Sequence, residues 1–163
     1  MASETANILG ALSLAVVDRI EDLAQQLVGH AGQTPAAIVV IGYGPGMTND
    51  RLRRILRLSH PGTVRLVDRL VADGLVERRA GRDRRAVALH LTEQGEALRA
   101  TLLAERLSLL EGAAELLSPS EQSQLAVLLR KLLAAMPRDQ FDRFRICRLC
   151  DNRACVECPI PAL

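Results

Sequence analysis

The apolar positions of this chain recur mainly at three- and four-residue intervals, a pattern typical of amphipathic helices. Leucine-rich stripes of this kind run from about Glu4 to Gly29 and again from Glu93 to about Pro137. Between them, the residues at 75–80 and at 86–92 alternate between apolar and polar, as β-strands do. The pattern therefore predicts a mostly α chain that contains one β-hairpin.

One helix ahead of the hairpin has sequence signals at both of its ends. Ser59 is a good N-cap, Pro61 is tolerated in a first turn, and Gly74 supplies the left-handed residue that ends such a helix. A shorter amphipathic helix is predicted at 49–58, and only a few residues separate the two. Two helices joined so closely indicate a helix-turn-helix.

The second of these helices has a basic stripe. At about 100° per residue, Gly62, Arg65 and Arg69 fall on one side, opposite an apolar side that includes Val67 and Leu70. Arginine suits the edge of guanine or a phosphate, and a glycine allows close approach to a groove wall. A solvated surface helix that does not contact DNA would show the same stripe, so the stripe alone does not establish DNA binding.

The hairpin strengthens the interpretation that the basic stripe of this helix contacts DNA. Its turn carries three arginines, Arg82, Arg84 and Arg85. A helix-turn-helix followed by a hairpin with a basic tip is typical of a winged helix, in which one helix enters the major groove and the wing reaches the minor groove.

These residues resemble the MarR-type (multiple antibiotic resistance) winged-helix regulators of bacteria. The resemblance rests on the segments 59–70, 73–78, 83–87 and 91–95. It implies a homodimer that binds a palindromic operator in double-stranded DNA, and it implies that Asp83 pairs with a wing arginine. The residues expected at the DNA are Ser59, His60, Gly62, Thr63, Arg65, Arg69, Arg82, Arg84 and Arg85.

The resemblance also divides the chain. Residues 1–137 are expected to form a winged helix-turn-helix with a two-stranded β-wing and a helical dimerisation lobe. The DNA-binding lobe would cover about 34–92, and the dimerisation helices about 4–29 and 93–137. Residues 138–163 would form a separate C-terminal tail.

Charge is distributed unevenly along the chain. The net charge is only +2, but residues 48–92 hold eleven Arg against five acidic residues, a local charge of +6, so the remainder carries −4. A basic lobe of this kind favours a phosphate-binding surface. Neither a secretion signal nor a membrane span is recognisable, so a cytoplasmic location is expected.

The tail contains all four cysteines, in the spacing C-x2-C-x4-C-x2-C. In a reducing compartment, two such hooks favour a metal centre over disulfides. Zinc is the preferred metal, and an iron–sulfur cluster is the alternative because the last three cysteines repeat the C-x4-C-x2-C spacing of plant-type clusters. The expected ligands are Cys147, Cys150, Cys155 and Cys158.

Other functions are less well supported by the sequence. A thiol oxidoreductase using Cys147 and Cys150 would need a thioredoxin-like alternation of strands and helices, which the pattern does not predict. A winged helix that docks a protein partner is disfavoured by the wing arginines. An enzyme is therefore not expected, and a small-molecule or redox effector of the regulator stays open.

Overall fold

The computed structural model describes residues 1–44, 46–81, 87–155 and 157–160. The elements in this part of the chain are α1 (Ala2–Val28), α2 (Thr34–Tyr43), α3 (Asn49–Leu56), α4 (His60–Ala72), β1 (Val76–Ala80), β2 (Val87–Leu91), α5 (Glu93–Ala114), α6 (Pro119–Ala134) and α7 (Gln140–Ile146). This order confirms the predicted fold, a mostly helical chain with a winged helix-turn-helix and a two-stranded wing. Helix α7, in the tail, was not predicted.

The core of the DNA-binding lobe lies where α2, α3, α4 and the hairpin meet. Leu52 and Ile55 of α3 and Val67 and Leu70 of α4 are fully buried there. Each such side chain stabilises the fold by about 1.5–3 kcal/mol through its burial. Helix α2 is apolar around most of its circumference and is buried from Thr34 to Ile41. Its N-cap is Gln33, and Thr34 is its first helical residue.

The wing joins α5 through a short hydrogen-bonded corner. Thr92 caps α5, because its Oγ1 accepts a hydrogen bond from the backbone N of Gly95 at 3.0 Å. The same hydroxyl donates to the backbone O of Gly74 at 2.6 Å, just before β1. Gly95 packs so tightly here that a Cβ would lie 2.1 Å from the backbone O of Leu75. The corner therefore fixes the wing against the start of α5.

Helices α1 and α5 pack against each other, and α6 follows α5 along the chain. Ser118 and Glu121 form a capping box at the start of α6. No residue of α6 is buried. Large apolar side chains are exposed on α1 and α6, namely Ile8, Leu9, Leu12, Leu14, Val17, Leu125, Val127, Leu128, Leu129 and Leu132. Such an extended apolar surface is typical of a protein interface.

None of the helices in the described ranges combines the length and the apolar character needed to cross a membrane.

Replacing Gly95 by alanine is expected to lower the free energy of unfolding by about 1–3 kcal/mol, because backbone must move to admit the methyl group. Gly112, also in α5, is the matched control, because a Cβ there meets nothing within 4 Å. Gly112→Ala should be neutral or stabilise by up to about 1 kcal/mol. Urea denaturation measures both values, and equal effects of the two substitutions would contradict this account of the corner.

Candidate nucleic-acid interface

The turn of the helix-turn-helix is shaped at both of its ends. Helix α3 ends at Arg57, whose φ of 54° is left-handed. Helix α4 begins after Ser59, whose Oγ accepts a hydrogen bond from the backbone N of Gly62 at 3.1 Å. The predicted N-cap is therefore confirmed. Gly74 has a φ of 70°, which agrees with its predicted place at the end of this helix.

The buried face of α4 contains the predicted Val67 and Leu70. Leu66 joins Val67 and Leu70 on that face, whereas Val64 and Val71 are only half-buried. Thr63 also lies on this face, with 1% of its surface exposed. Its Oγ1 donates to the backbone O of Ser59 at 3.0 Å.

The burial of Thr63 corrects one prediction about the interface. The sequence placed this side chain at the DNA, but in the structure its hydroxyl lies inside the lobe and is used by the first turn of the helix. The reason is rotational: Thr63 lies four residues before Val67 and seven before Leu70, so the three side chains share one face of α4. Thr63 is therefore excluded from the exposed stripe.

Most of the α4 residues that were predicted at the DNA lie on the exposed side of this helix. His60, Arg65 and Arg69 are exposed. Gly62 is half-buried, and a Cβ there would lie 3.0 Å from the Ser59 Oγ, so this glycine also leaves room for the N-cap. Together with Ser59, these residues form one surface, which we call the α4 stripe. Their contacts with bases or phosphates stay a prediction.

Several arginines near the stripe are held by carboxylates. Arg53 and Arg54 both pair with Asp50, and the hydrogen bond from Arg53 is the main reason why the pKa of Asp50 is lowered. Asp68 of α4 pairs with Arg78 of β1 and so ties the stripe to the wing. Within the described part of the chain, no ion pair involves Arg65 or Arg69, so the stripe keeps its positive charge for an external anion.

The wing is described only along its two strands. They pair antiparallel from Val76 opposite Leu91 to Ala80 opposite Val87. The predicted tip residues Arg82, Arg84 and Arg85, and the predicted pairing of Asp83, lie outside the described residues. The described strands are tied to α4, because Asp68 bonds to Arg78 at the middle of β1.

The cysteine segment begins where α7 ends. Cys147 is the C-cap of that helix, and the backbone N of Cys150 donates to the backbone O of Cys147 at 2.9 Å. A hydrogen bond between these two thiols raises the pKa of Cys147 and lowers that of Cys150 to about 6, with Arg106 and Arg148 adding to the second effect. Both side chains are half-buried.

The other two cysteines are exposed, and Cys158 lies near enough to Cys147 to contribute to its raised pKa. Among the described residues, no group of three or more His, Cys, Asp or Glu side chains is gathered closely enough to hold a metal ion. The structure therefore brings Cys147 and Cys150 together, and the four-cysteine centre stays a prediction.

Sequence reasoning missed how this segment is attached to the rest of the molecule. Tyr43, at the end of α2, lies under the guanidinium of Arg99, 4.8 Å from the ring centroid. Burial is the main cause of its raised pKa, and the nearby Cys150 adds to it. Two arginines of α3 cover the aromatic rings of α7 in the same way. The only signal in the sequence was the concentration of its few aromatic residues at Tyr43 and in the tail.

The comparisons with known proteins agree with this architecture. The sequence model of the MarR family matches residues 31–86. MepR of Staphylococcus aureus, a transcription regulator of the multidrug efflux pump MepA, superposes with a TM-score of 0.70 at 16% identity, over 81% of this chain and 98% of that one. Among curated proteins, none matches this chain in sequence.

Two further solved structures have the same fold. FabT of Streptococcus pneumoniae, in complex with DNA, gives a TM-score of 0.65 at 22% identity, over 78% of this chain and 94% of that one. Wild-type MarR of E. coli, in its apo form, gives 0.62 at 25% identity, over 77% of this chain and 96% of that one. The similarity thus extends over nearly the whole of each relative and leaves about a fifth of this chain unmatched.

Proposed function

We propose, from the match of residues 31–86 to the MarR family model and from the MarR-type fold, that this protein is a transcription regulator that binds a palindromic operator as a homodimer. MepR, a relative with this fold, is a transcription regulator, and FabT was solved with DNA. The chain is accordingly a regulator and not an enzyme. Its proposed place is the cytoplasm, where the operator would be accessible.

The observation that carries the proposal is the α4 stripe. Arg65 and Arg69 are exposed on the outer side of a helix whose inner side is fixed by Val67 and Leu70. A helix held in this way can enter a major groove with its arginines toward the bases. The wing beside it would place Arg82, Arg84 and Arg85 near the adjacent phosphates or minor groove. If the winged helix instead bound a protein partner, its affinity for DNA would not depend on the DNA sequence.

Binding to duplex DNA should depend strongly on salt. If about six phosphates are neutralised per dimer, the slope of log K against log salt should be roughly −5. Arg65→Ala should relax the preference at one base step by about 1–3 kcal/mol. Thr63→Val is the matched control, because its hydroxyl is internal; it should leave specificity unchanged.

Affinities on an operator selected from random duplexes, measured by fluorescence anisotropy at several salt concentrations, test this proposal. Binding that is indifferent to salt, or a specificity that both variants leave intact, would overturn the nucleic-acid function.

The homodimer follows from the uncovered helices. Helix α6 has no buried residue, and its Leu128 is 58% exposed. A second copy of this chain is the partner that a symmetric regulator of a palindrome requires, and two recognition helices would then meet successive major grooves about 10 base pairs apart.

Leu128→Glu should therefore shift the protein toward monomers and reduce operator affinity, because a carboxylate would be buried in the interface. Ser123→Glu places the same charge on the other side of α6 and is the control that should stay dimeric. Sedimentation velocity at micromolar concentration distinguishes the two outcomes. A wild-type protein that sediments as a monomer would refute the dimer.

The tail is proposed to hold a metal through Cys147, Cys150, Cys155 and Cys158. What supports this is the spacing of two C-x2-C hooks, together with the hydrogen-bonded turn that already brings the first pair together. Zinc is preferred as a structural ion, and an iron–sulfur cluster, which would make the regulator responsive to redox state or iron, is the alternative. A small-molecule effector is left open.

Cys155→Ser is expected to abolish stoichiometric metal, because three thiolates do not complete a tetrahedral site. Glu157→Gln, in the same loop, should keep it. Metal and acid-labile sulfide analysis, with an absorption spectrum of freshly purified protein, separates zinc from an iron–sulfur cluster. A metal-free wild type, or full metal content in the Cys155→Ser variant, would remove the metal centre from the proposal.

A further inference from the structure

Helix α7 is packed directly against the first helix of the helix-turn-helix. Both phenylalanines of the chain lie in α7, and each is covered by an arginine of α3. The guanidinium of Arg54 lies 5.6 Å from the ring centroid of Phe141, and that of Arg51 lies 5.1 Å from the centroid of Phe144. These contacts attach the C-terminal segment to the DNA-binding lobe.

A buried carboxylate reinforces this attachment. Asp142 is only 4% exposed, and its Oδ1 accepts a hydrogen bond from Arg57 of the helix-turn-helix at 3.0 Å. The same oxygen forms an ion pair with Arg145 of α7, also at 3.0 Å. A buried charge depends strongly on its partners, so Asp142 holds the Arg57 guanidinium in place. Arg57 is the only non-glycine residue with positive φ in the described part of the chain, and it lies in the turn between α3 and α4. The tail thus bonds to the turn that sets the direction of the recognition helix.

The cysteines that follow α7 lie at the junction of the two lobes. Leu149, between Cys147 and Cys150, packs against the hydrophobic core, and it lines one cavity together with Ala24 of α1 and Ala36 of α2. The buried Oη of Tyr43 and the Nε atoms of Arg99 and Arg106 have no hydrogen-bond partner among the described residues. Buried donors of this kind need acceptors, and metal-bound thiolates, with their negative charge, are acceptors that suit them.

The far end of the segment is held by the dimerisation lobe. Arg130 of α6 donates from its Nη1 to the backbone O of Glu157 at 3.1 Å. One segment therefore contacts α3 and α6, and it borders a cavity that it shares with α1 and α2. A segment with this course can transmit a local change at the cysteines to the relative position of the two lobes.

We propose that the C-terminal segment is an intramolecular strap that couples the cysteine centre to operator binding, with Asp142 as the positioning residue that joins the strap to the helix-turn-helix. When the four cysteines are ligated, the strap is ordered and holds α3 and α4 at the geometry that fits DNA. When the centre is lost, α7 is released from Arg57 and affinity falls. The inference rests on the proposed function, since it names how that function is regulated.

A double-mutant cycle tests the coupling in the full-length protein. Operator affinity is measured for the wild type, Cys155→Ser, Asp142→Asn and the double variant. Loss of the centre by Cys155→Ser should weaken binding about tenfold in the wild-type background. In the Asp142→Asn background it should weaken binding less than about twofold, because the connection is already broken. Asp142 is buried and cannot itself touch DNA, so its substitution does not remove a DNA contact.

Glu157→Gln is the matched control for charge and position, because it removes a carboxylate from the same segment while leaving the backbone O that Arg130 uses. In that background the full tenfold effect of Cys155→Ser should persist. Should Asp142→Asn fail to fold, as judged by circular dichroism, Arg57→Gln replaces it. The Arg57→Gln variant removes the other partner of the same ion pair, whose side chain is exposed, and should show the same loss of coupling.

Hydrogen exchange supplies a readout that does not depend on DNA. Metal loss should speed exchange at the amides of residues 49–72 in the wild type, and Asp142→Asn should speed it even with metal bound. An equal effect of Cys155→Ser in both backgrounds would overturn the strap, and so would a wild type that binds the operator but carries no metal. A wild type that retains metal but binds no duplex would instead refute the proposed function.

Discussion

The fixed orientation of α4 is the constraint on which the rest of this structure depends. Val67 and Leu70 are fully buried against α3 and the wing, and this burial sets the rotation of the helix about its axis. Because side chains repeat every 3.6 residues, the same rotation that buries this face exposes Arg65 and Arg69. The hydrophobic effect thus positions the basic stripe, although it acts only on the opposite side of the helix.

Electrostatics then divides the arginines of the lobe into two groups. Arg53 and Arg54 of α3 are neutralised locally by Asp50, and Arg78 of β1 is neutralised by Asp68. Such exposed pairs add little stability, but they lower the local charge and tie neighbouring elements together. The stripe on α4 keeps its charge, so the positive potential is concentrated where a phosphate or a guanine would be met.

The tail shows how a chain with few aromatic residues uses them. Phe141 and Phe144 of α7 each lie against an arginine of α3, and they mark the contact between the C-terminal segment and the DNA-binding lobe. The third ring of the chain, Tyr43, lies against Arg99 and joins α2 to α5. The aliphatic core elsewhere needs no ring, because leucine, isoleucine and valine fill it from closely packed helices. The aromatic residues serve instead to attach an exposed segment through both apolar area and cation–π contact.

The sequence by itself determined the helix-turn-helix followed by a hairpin, the cap at Ser59 and the left-handed Gly74, because each depends on interactions within a short stretch of chain. It also determined the exposure of Arg65 and Arg69, since helical periodicity places them opposite the apolar positions. Only the tertiary structure decided that Thr63 is internal. A residue at the edge of a helical face is buried or exposed according to small differences in how α4 is rotated against α3. Likewise, the ion pair between Arg57 and Asp142 joins residues 85 positions apart, and such a contact follows from packing rather than from any local pattern.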